Sequence, residues 1–212
     1  MRLVLASNNA KKLAELKVML EPIGLELVTQ GSLGIAEAEE PHGTFIENAL
    51  TKARQAARAS GCAAIADDSG LCVPALAGEP GVKSAEFAAV VSIDSADREE
   101  RRRAQDAANN ALLLERLVAL GPQADRGAYF VSTLVALRDA EDPEPLIATG
   151  RWAGTVLEAP RGVGGFGYDP LLFIPALGAT VAELPSEVKN RHSHRAVAAE
   201  AMRHLMASVW RV

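Results

Sequence analysis

Aromatic residues are scarce, 4% of the 212 residues. That leaves little material for the stacked-ring surface that grips single-stranded nucleic acid. Cysteine is scarcer still. Cys62 and Cys72 are the only two; they lack metal-ligand spacing and form a poor disulfide framework, so a reducing compartment is expected. Positive charge is not in excess either, with 22 Lys and Arg against 27 Asp and Glu and a net charge of −5. A chain of this balance is not expected to hold a nucleic-acid polymer through its phosphates. It can still bind a small anion with a few focused lysines, backbone N–H groups and a divalent ion. No apolar run reaches the roughly 18 residues of a membrane span. The opening stretch, Met1 to Asn8, carries a charge but too short an apolar run for a secretory signal. A cytoplasmic protein without a membrane partner is the expectation.

What is present is a core built from small side chains. About half the residues are apolar (49%), dominated by alanine and leucine, which favours close helix–sheet contact. The length suits one domain, or one domain folded as two lobes around a cleft. Leu3–Ala6 reads as a buried strand, and Leu13, Leu16 and Leu20 mark one face of the helix after it. A strand over 25–29 and a polar loop over 30–43 follow. Thr44 and Glu47 have capping-box spacing, ahead of a helical face through Ile46, Leu50, Ala53 and Ala57. Ala63–Ala66 reads as a short buried strand that delivers Asp67 and Asp68 at its end. A helix is expected from the charged run at 97–103 through Leu113, Leu117 and Leu120. Strands over 129–138 and 146–156 read as an antiparallel pair, and 171–174 as another short strand. The last helix starts near Ser193, with Val197, Ala201, Leu205 and Val209 on one face. Strands alternating with helices, then a hairpin, give an α/β fold with a mixed sheet.

Five groups of residues could carry chemistry. Ser7-Asn8-Asn9-Ala10-Lys11-Lys12 joins a strand to a helix and could cradle phosphate on free N–H groups, or simply cap the helix. It has no glycine and is no Walker A loop. Asp67-Asp68-Ser69 places two carboxylates side by side. A divalent cation resolves the cost of burying them, and Mg²⁺ suits one or two carboxylates with phosphate oxygens and water; an Asx turn is the alternative. Glu37, Glu39, Glu40 and Glu47 could reach such an ion, although capping already explains Glu47. Gly164 to Pro170 combines flexible backbone, the rings of Phe166 and Tyr168 and the acceptor Asp169, a mixture suited to a purine base or to a tight turn. Lys189 to Arg195 gathers five potentially cationic side chains in seven residues, either an anion site at a helix start or a solvated linker. Asn109-Asn110 reads as part of a helix face, and Trp152 and Trp210 as packing residues.

Taken in order, Ser7 to Lys12, Thr44-Phe45-Ile46-Glu47-Asn48-Ala49, Ala66-Asp67-Asp68-Ser69-Gly70-Leu71, Gly165 to Pro170 and Ser193-His194-Arg195 resemble the inosine/xanthosine triphosphate pyrophosphatase family. The resemblance runs from Leu3 to about Leu205. It implies an elongated α/β fold, its mixed twisted sheet flanked by helices, in two lobes with the active-site cleft between them, usually as a homodimer. It implies Mg²⁺-dependent hydrolysis of the noncanonical purine nucleotides ITP, dITP and XTP to a monophosphate and pyrophosphate. By position, Asp68 matches the general base and metal contact, Glu40 the other metal-binding acid, and Ser69 a substrate contact. Ser7, Asn8, Asn9, Ala10, Lys11 and Lys12 match the triphosphate turn. Phe166, Gly167, Tyr168 and Asp169 match base and sugar recognition, and Lys189, His194 and Arg195 a set that closes on substrate. Asp67 matches a residue that could orient rather than ligate. The chain departs from the pattern at Glu86, where the family usually has arginine, and at Lys83, often an aromatic. Two rivals remain at this level: a Maf-like pyrophosphatase of modified nucleotides, and a nucleotide-binding protein without turnover.

Overall fold

The structure is a computed structural model describing residues 1–89 and 97–212, with every side chain among them except that of residue 23. In chain order the strands and α-helices are β1 (Arg2–Leu5), α1 (Ala10–Leu20), β2 (Glu26–Thr29), α2 (Phe45–Ser60), β3 (Ala63–Cys72), α3 (Arg98–Ala119), β4 (Gly127–Leu137), β5 (Leu146–Val156), β6 (Leu172–Ile174), β7 (Ala179–Thr180), α4 (Ser186–His192) and α5 (His194–Leu205). The strands pair in the order β2-β1-β3-β4-β5-β6-β7. β1 runs parallel to β2 and β3, while β5–β6 and β6–β7 are antiparallel. This is the mixed α/β sheet expected. The chain forms two compact units: residues 1–68, 131–151 and 190–212 make the first, and residues 69–130 and 152–189 the second.

The first unit is layered by the pleat. Successive strand residues point to opposite faces. On one face Leu3, Leu5, Ala63, Ile65, Leu134 and Ala136 meet Leu16, Met19 and Leu20 of α1 and Ala196, Ala198, Ala199 and Met202 of α5. On the other, Val4, Ala6, Ala64, Ala66, Val135 and Leu137 meet Ala49, Ala53, Ala56 and Ala57 of α2. Alanine along α2 lets the helix lie close to the sheet. Thr44 caps α2 by accepting from the Glu47 N–H at 3.3 Å, and its hydroxyl donates to the Glu47 carboxylate at 2.6 Å. Two expected faces shift. Ile46 is exposed, its place taken by Ala49 and Asn48. In α5 the buried face runs through Arg195, Ala198, Ala199 and Met202, while Val197 faces solvent. α5 begins with buried polar residues, so an apolar pattern alone misplaces its inner stripe. Between β4 and β5, the Asp142 carboxylate accepts from the Arg138 N–H and guanidinium and from the Glu144 N–H, at 2.9 to 3.1 Å.

The second unit has its own core. Leu113 and Leu117 of α3 pack with Phe130, Trp152, Val156, Leu171, Leu172 and Ile174. Leu120 lies beyond the last turn and is exposed. The loop expected at 74–84 contains two short 3-10 turns, Pro74–Leu76 and Gly81–Glu86. Asn109 lies on a face of α3, as expected, and that face is turned inward. It is buried, accepts from the Ala88 N–H at 2.8 Å and donates to the Ala85 carbonyl at 3.0 Å. The departures at Lys83 and Glu86 both face solvent.

Candidate active site

β1 ends at Leu5, opposite Ile65. β3 continues to Cys72, so Asp67 and Asp68 do not stand at the end of their own strand. The expected four-residue strand is ten residues long, and an Asx turn at the aspartates is excluded by their extended backbone. The strand end near them is that of β1, and the chain leaving it turns through Ser7, Asn8 and Asn9 into α1. Asn9 accepts from the N–H groups of Lys11 and Lys12 at 3.1 and 3.2 Å, and the Asn9 N–H donates to the Ser7 hydroxyl at 3.1 Å. Helix capping is therefore built into this turn. Lys12 turns inward to the aspartates.

The pleat that sorts the apolar residues also sorts the two acids. Asp67 follows Ala63 and Ile65 to the α1/α5 face. There its carboxylate lies 3.1 Å from Lys12 Nζ and 3.3 Å from Arg195 Nη2, and it accepts from the Ser132 hydroxyl at 2.5 Å. Arg195 also pairs with Glu15 of α1. All this happens out of solvent, with Arg195 1% and Asp67 2% exposed. Burial pushes the Asp67 carboxyl up, but Arg195, Lys12 and Ser132 outweigh it and hold the group far below the carboxylate range. Burial lowers Lys12, and Asp67 only partly restores it. Asp67 is thus a fixed anion whose lone pairs are engaged by protein donors.

Asp68 follows Ala64 and Ala66 to the α2 face. Its Oδ1 accepts from Lys52 Nζ at 2.9 Å, and the same ammonium lies 3.0 Å from Glu40 Oε2. Its Oδ2 is buried with no hydrogen-bond partner among the described residues. Burial pushes the Asp68 carboxyl up to about 6 against the pull of Lys52 and Lys12. Lys52 is held above its ordinary value because Asp68 and Glu40 outweigh its burial, and Glu40 is held below its own because Lys52 outweighs burial there. Among the described residues no three His, Cys, Asp or Glu side chains gather as a metal cluster. Mg²⁺ does not require one. Two carboxylates converging on one cation, one with an unsatisfied buried oxygen, fit an ion that completes its shell with phosphate and water.

The second unit holds the other group. Asp169 is 3% exposed; its Oδ2 accepts from Lys189 Nζ at 2.8 Å and from the Phe166 N–H at 2.9 Å. Lys189 Nζ also lies 4.5 Å from the centre of the Phe166 ring, a cation–π distance. Tyr168 lies in the core and donates its hydroxyl to the Ser84 carbonyl at 3.0 Å; burial raises its pKa. Ser69 is half-buried in β3. The cationic run at 189–195 is not a solvated linker. It forms two helices joined at Ser193, whose hydroxyl accepts from the Ala196 N–H at 3.2 Å. Lys189 serves Asp169, Arg195 serves Asp67 and Glu15, and His194 is buried at the start of α5.

Sequence reasoning missed Lys52, Ser132 and Glu15. Lys52 had a readable signal, since it shares the inward face of α2 with Ala49, Ala53 and Ala56. Ser132 had a weaker one, a hydroxyl inside an apolar strand. Glu15 looked like any acid on an exposed helix face.

The likeness to known proteins extends over the whole chain. The model of the Ham1 family matches residues 3–205. A dITP/XTP pyrophosphatase of Methylibium petroleiphilum is 68% identical over 210 residues, 99% of either chain. One of Leptothrix cholodnii is 68% identical over 212 residues, again 99% of either chain. Among solved structures, a HAM1 protein from Coxiella burnetii is 37% identical with a TM-score of 0.86, covering 99% of this chain and 100% of that one. With matching motifs, matching fold and an identity this high over the full length, the chain belongs to the Ham1 family.

Proposed function

We propose that this chain hydrolyses noncanonical purine nucleoside triphosphates, ITP, dITP and XTP, to the nucleoside monophosphate and pyrophosphate. The observation that carries this reading is Asp68: a carboxylate raised toward neutrality, with one oxygen unpartnered and buried, beside Glu40 and Lys52. The names carried by relatives 68% identical to the chain support the substrate class.

In this reading Asp68 is the catalytic base and, with Glu40, would hold Mg²⁺. Held there, the ion would supply charge neutralisation on the phosphates and Lewis-acid polarisation of a phosphoryl oxygen. Water attacks the α-phosphorus. A bond forms from the water oxygen to phosphorus, the bond to the oxygen bridging α and β breaks, and pyrophosphate leaves. The water proton passes to Asp68, whose Oδ2 is buried and engaged by no described residue. Ser7 to Lys12, with Lys52, are assigned to the triphosphate and lend positive charge as the transition state develops. Ser69 is a further substrate contact. Phe166 to Asp169 and Lys189 are assigned to the base and sugar. His194 and Arg195 support the site, Arg195 by fixing Asp67. The two units are taken to work as one pyrophosphatase domain, acting as a homodimer in the cytoplasm, where Cys62 and Cys72 remain as thiols.

The test is pyrophosphate release from ITP, XTP, dITP, GTP and ATP, with and without Mg²⁺. Turnover of the first three, dependent on Mg²⁺, is expected. Asp68→Asn should lose ~10²-fold or more in kcat while keeping its fold. Near-normal turnover in that variant removes Asp68 from the base role.

A further inference from the structure

We propose that Asp106 and Asn110 of α3 are positioning residues that fix the Phe166–Asp169 loop and so set purine selectivity, a role that rests on reading this loop as the base-recognition element. Within the loop the Asp169 N–H donates to the Phe166 carbonyl at 3.2 Å and the Tyr168 carbonyl accepts from the Leu171 N–H at 2.9 Å, which leaves the Gly167 peptide to be held from elsewhere. Phe166 stands between Gly165 and Gly167, whose φ angles are +72° and +61°, a region glycine enters freely. Freedom on both sides would leave the Phe166 ring without a fixed direction. The polar groups of Gly167 are instead held from α3 on both sides. Its N–H donates to Asp106 Oδ2 at 2.8 Å, a charge-assisted bond. Its carbonyl accepts from Asn110 Nδ2 at 3.0 Å. Residues 106 and 110 are four apart on one helix and therefore share a face.

The chemistry at 110 is specific. Asn110 is 8% exposed, and its Oδ1 has no hydrogen-bond partner among the described residues. Burying an unsatisfied amide oxygen is unfavourable, so the side chain is there for its donor. An aspartate of the same shape would turn an oxygen toward the Gly167 carbonyl. At 106 the requirement is the reverse: only an acceptor is used on Gly167, and asparagine can supply one. The Phe166 N–H on Asp169, the Gly167 peptide on α3 and Lys189 over the ring together restrain the Phe166 backbone and ring.

Four variants test this: Asn110→Asp, Asn110→Ala, Asp106→Ala and Asp106→Asn. Turnover of ITP and GTP is followed by released pyrophosphate, and local order by hydrogen–deuterium exchange of the peptide spanning 166–169. N110D, N110A and D106A are expected to raise KM for ITP ~10-fold, with kcat within ~3-fold, and to narrow the ITP/GTP ratio of kcat/KM. Exchange at 166–169 should quicken in these three while the rest of the chain holds its protection. D106N should recover most of what D106A loses. Unchanged exchange and unchanged KM in N110D would overturn the proposal, as would D106N as impaired as D106A. Faster exchange with the ITP/GTP ratio intact would leave the clamp standing and overturn its role in selectivity. A wild-type enzyme inactive on ITP, XTP and dITP would overturn the functional reading and the selectivity role with it, while exchange would still decide the clamp.

Discussion

Burial acts in the same direction on Asp67 and Asp68, raising both carboxyls, yet the two end far apart in acidity. Asp67 has two cations and a hydroxyl within contact, Arg195 and Ser132 buried with it and Lys12 half-buried. Asp68 shares one lysine with Glu40 and keeps an oxygen unpaired. Compensation, not depth, decides which acid becomes a fixed anion and which keeps chemical capacity. Asp142 shows a depressed acid with a purely structural role. Hydrogen bonds from the Arg138 side chain bring its pKa to about 2, and the Arg138 and Glu144 N–H groups add to the effect. A folded-state value below the unfolded one, ~3.9, means stability that is present above pH ~4 and lost as pH falls toward 2. Asp142→Asn is expected to be ~1–2 kcal/mol less stable than wild type at pH 7, discounted for the half-exposed arginine. The gap should shrink by about half at pH 3, as read from urea unfolding at each pH. An equal gap at both pH values would mean the carboxylate charge is not what matters.

Among the elements of the first unit, α5 lies so close to β5 that Gly150 has no room for a side chain. A Cβ added at Gly150 would strike the His194 carbonyl and lie 2.6 Å from the Ala198 nitrogen, both backbone atoms of the helix that carries Arg195. The helix, not a side chain, would have to move. Gly150→Ala should therefore lower stability by ~1–3 kcal/mol. Gly43→Ala, where a Cβ meets nothing within 4 Å, should change it by less than ~0.5 kcal/mol. Thermal unfolding of both variants checks the contrast. Much of this level was legible beforehand. Caps at Asn9, Thr44 and Ser193 came from residue type, and β1, β2, α1 and α2 from periodicity. The length of β3 was not legible, because Asp67 and Asp68 look like a strand stop when their partners are unseen. The inner face of α5 was misplaced for the same reason: buried His194 and Arg195 count as polar in any apolar pattern.

At the scale of the molecule, each unit carries its own core and its own polar constellation, the first charged and the second built around one aromatic–cation–carboxylate contact. A homodimer is part of the proposed function. Light scattering on the purified protein should give the mass of two chains, and a single-chain mass at micromolar concentration would remove the dimer from the account.

By itself the sequence determined the family motifs, the order of strands and helices apart from β7 and α4, and the presence of an acid pair among small apolar residues. Those features are local, written in spacing, capping chemistry and period. Strand parity even separates Asp67 from Asp68 once the strand is known to continue. The tertiary structure decided the rest. It brought Lys12, Ser132 and Arg195, far apart in the chain, onto Asp67, and placed Lys52 between Glu40 and Asp68. It also set Asp106 and Asn110 against the Gly167 peptide. Each depends on which faces pack together, and a charge has no periodicity that announces its partner.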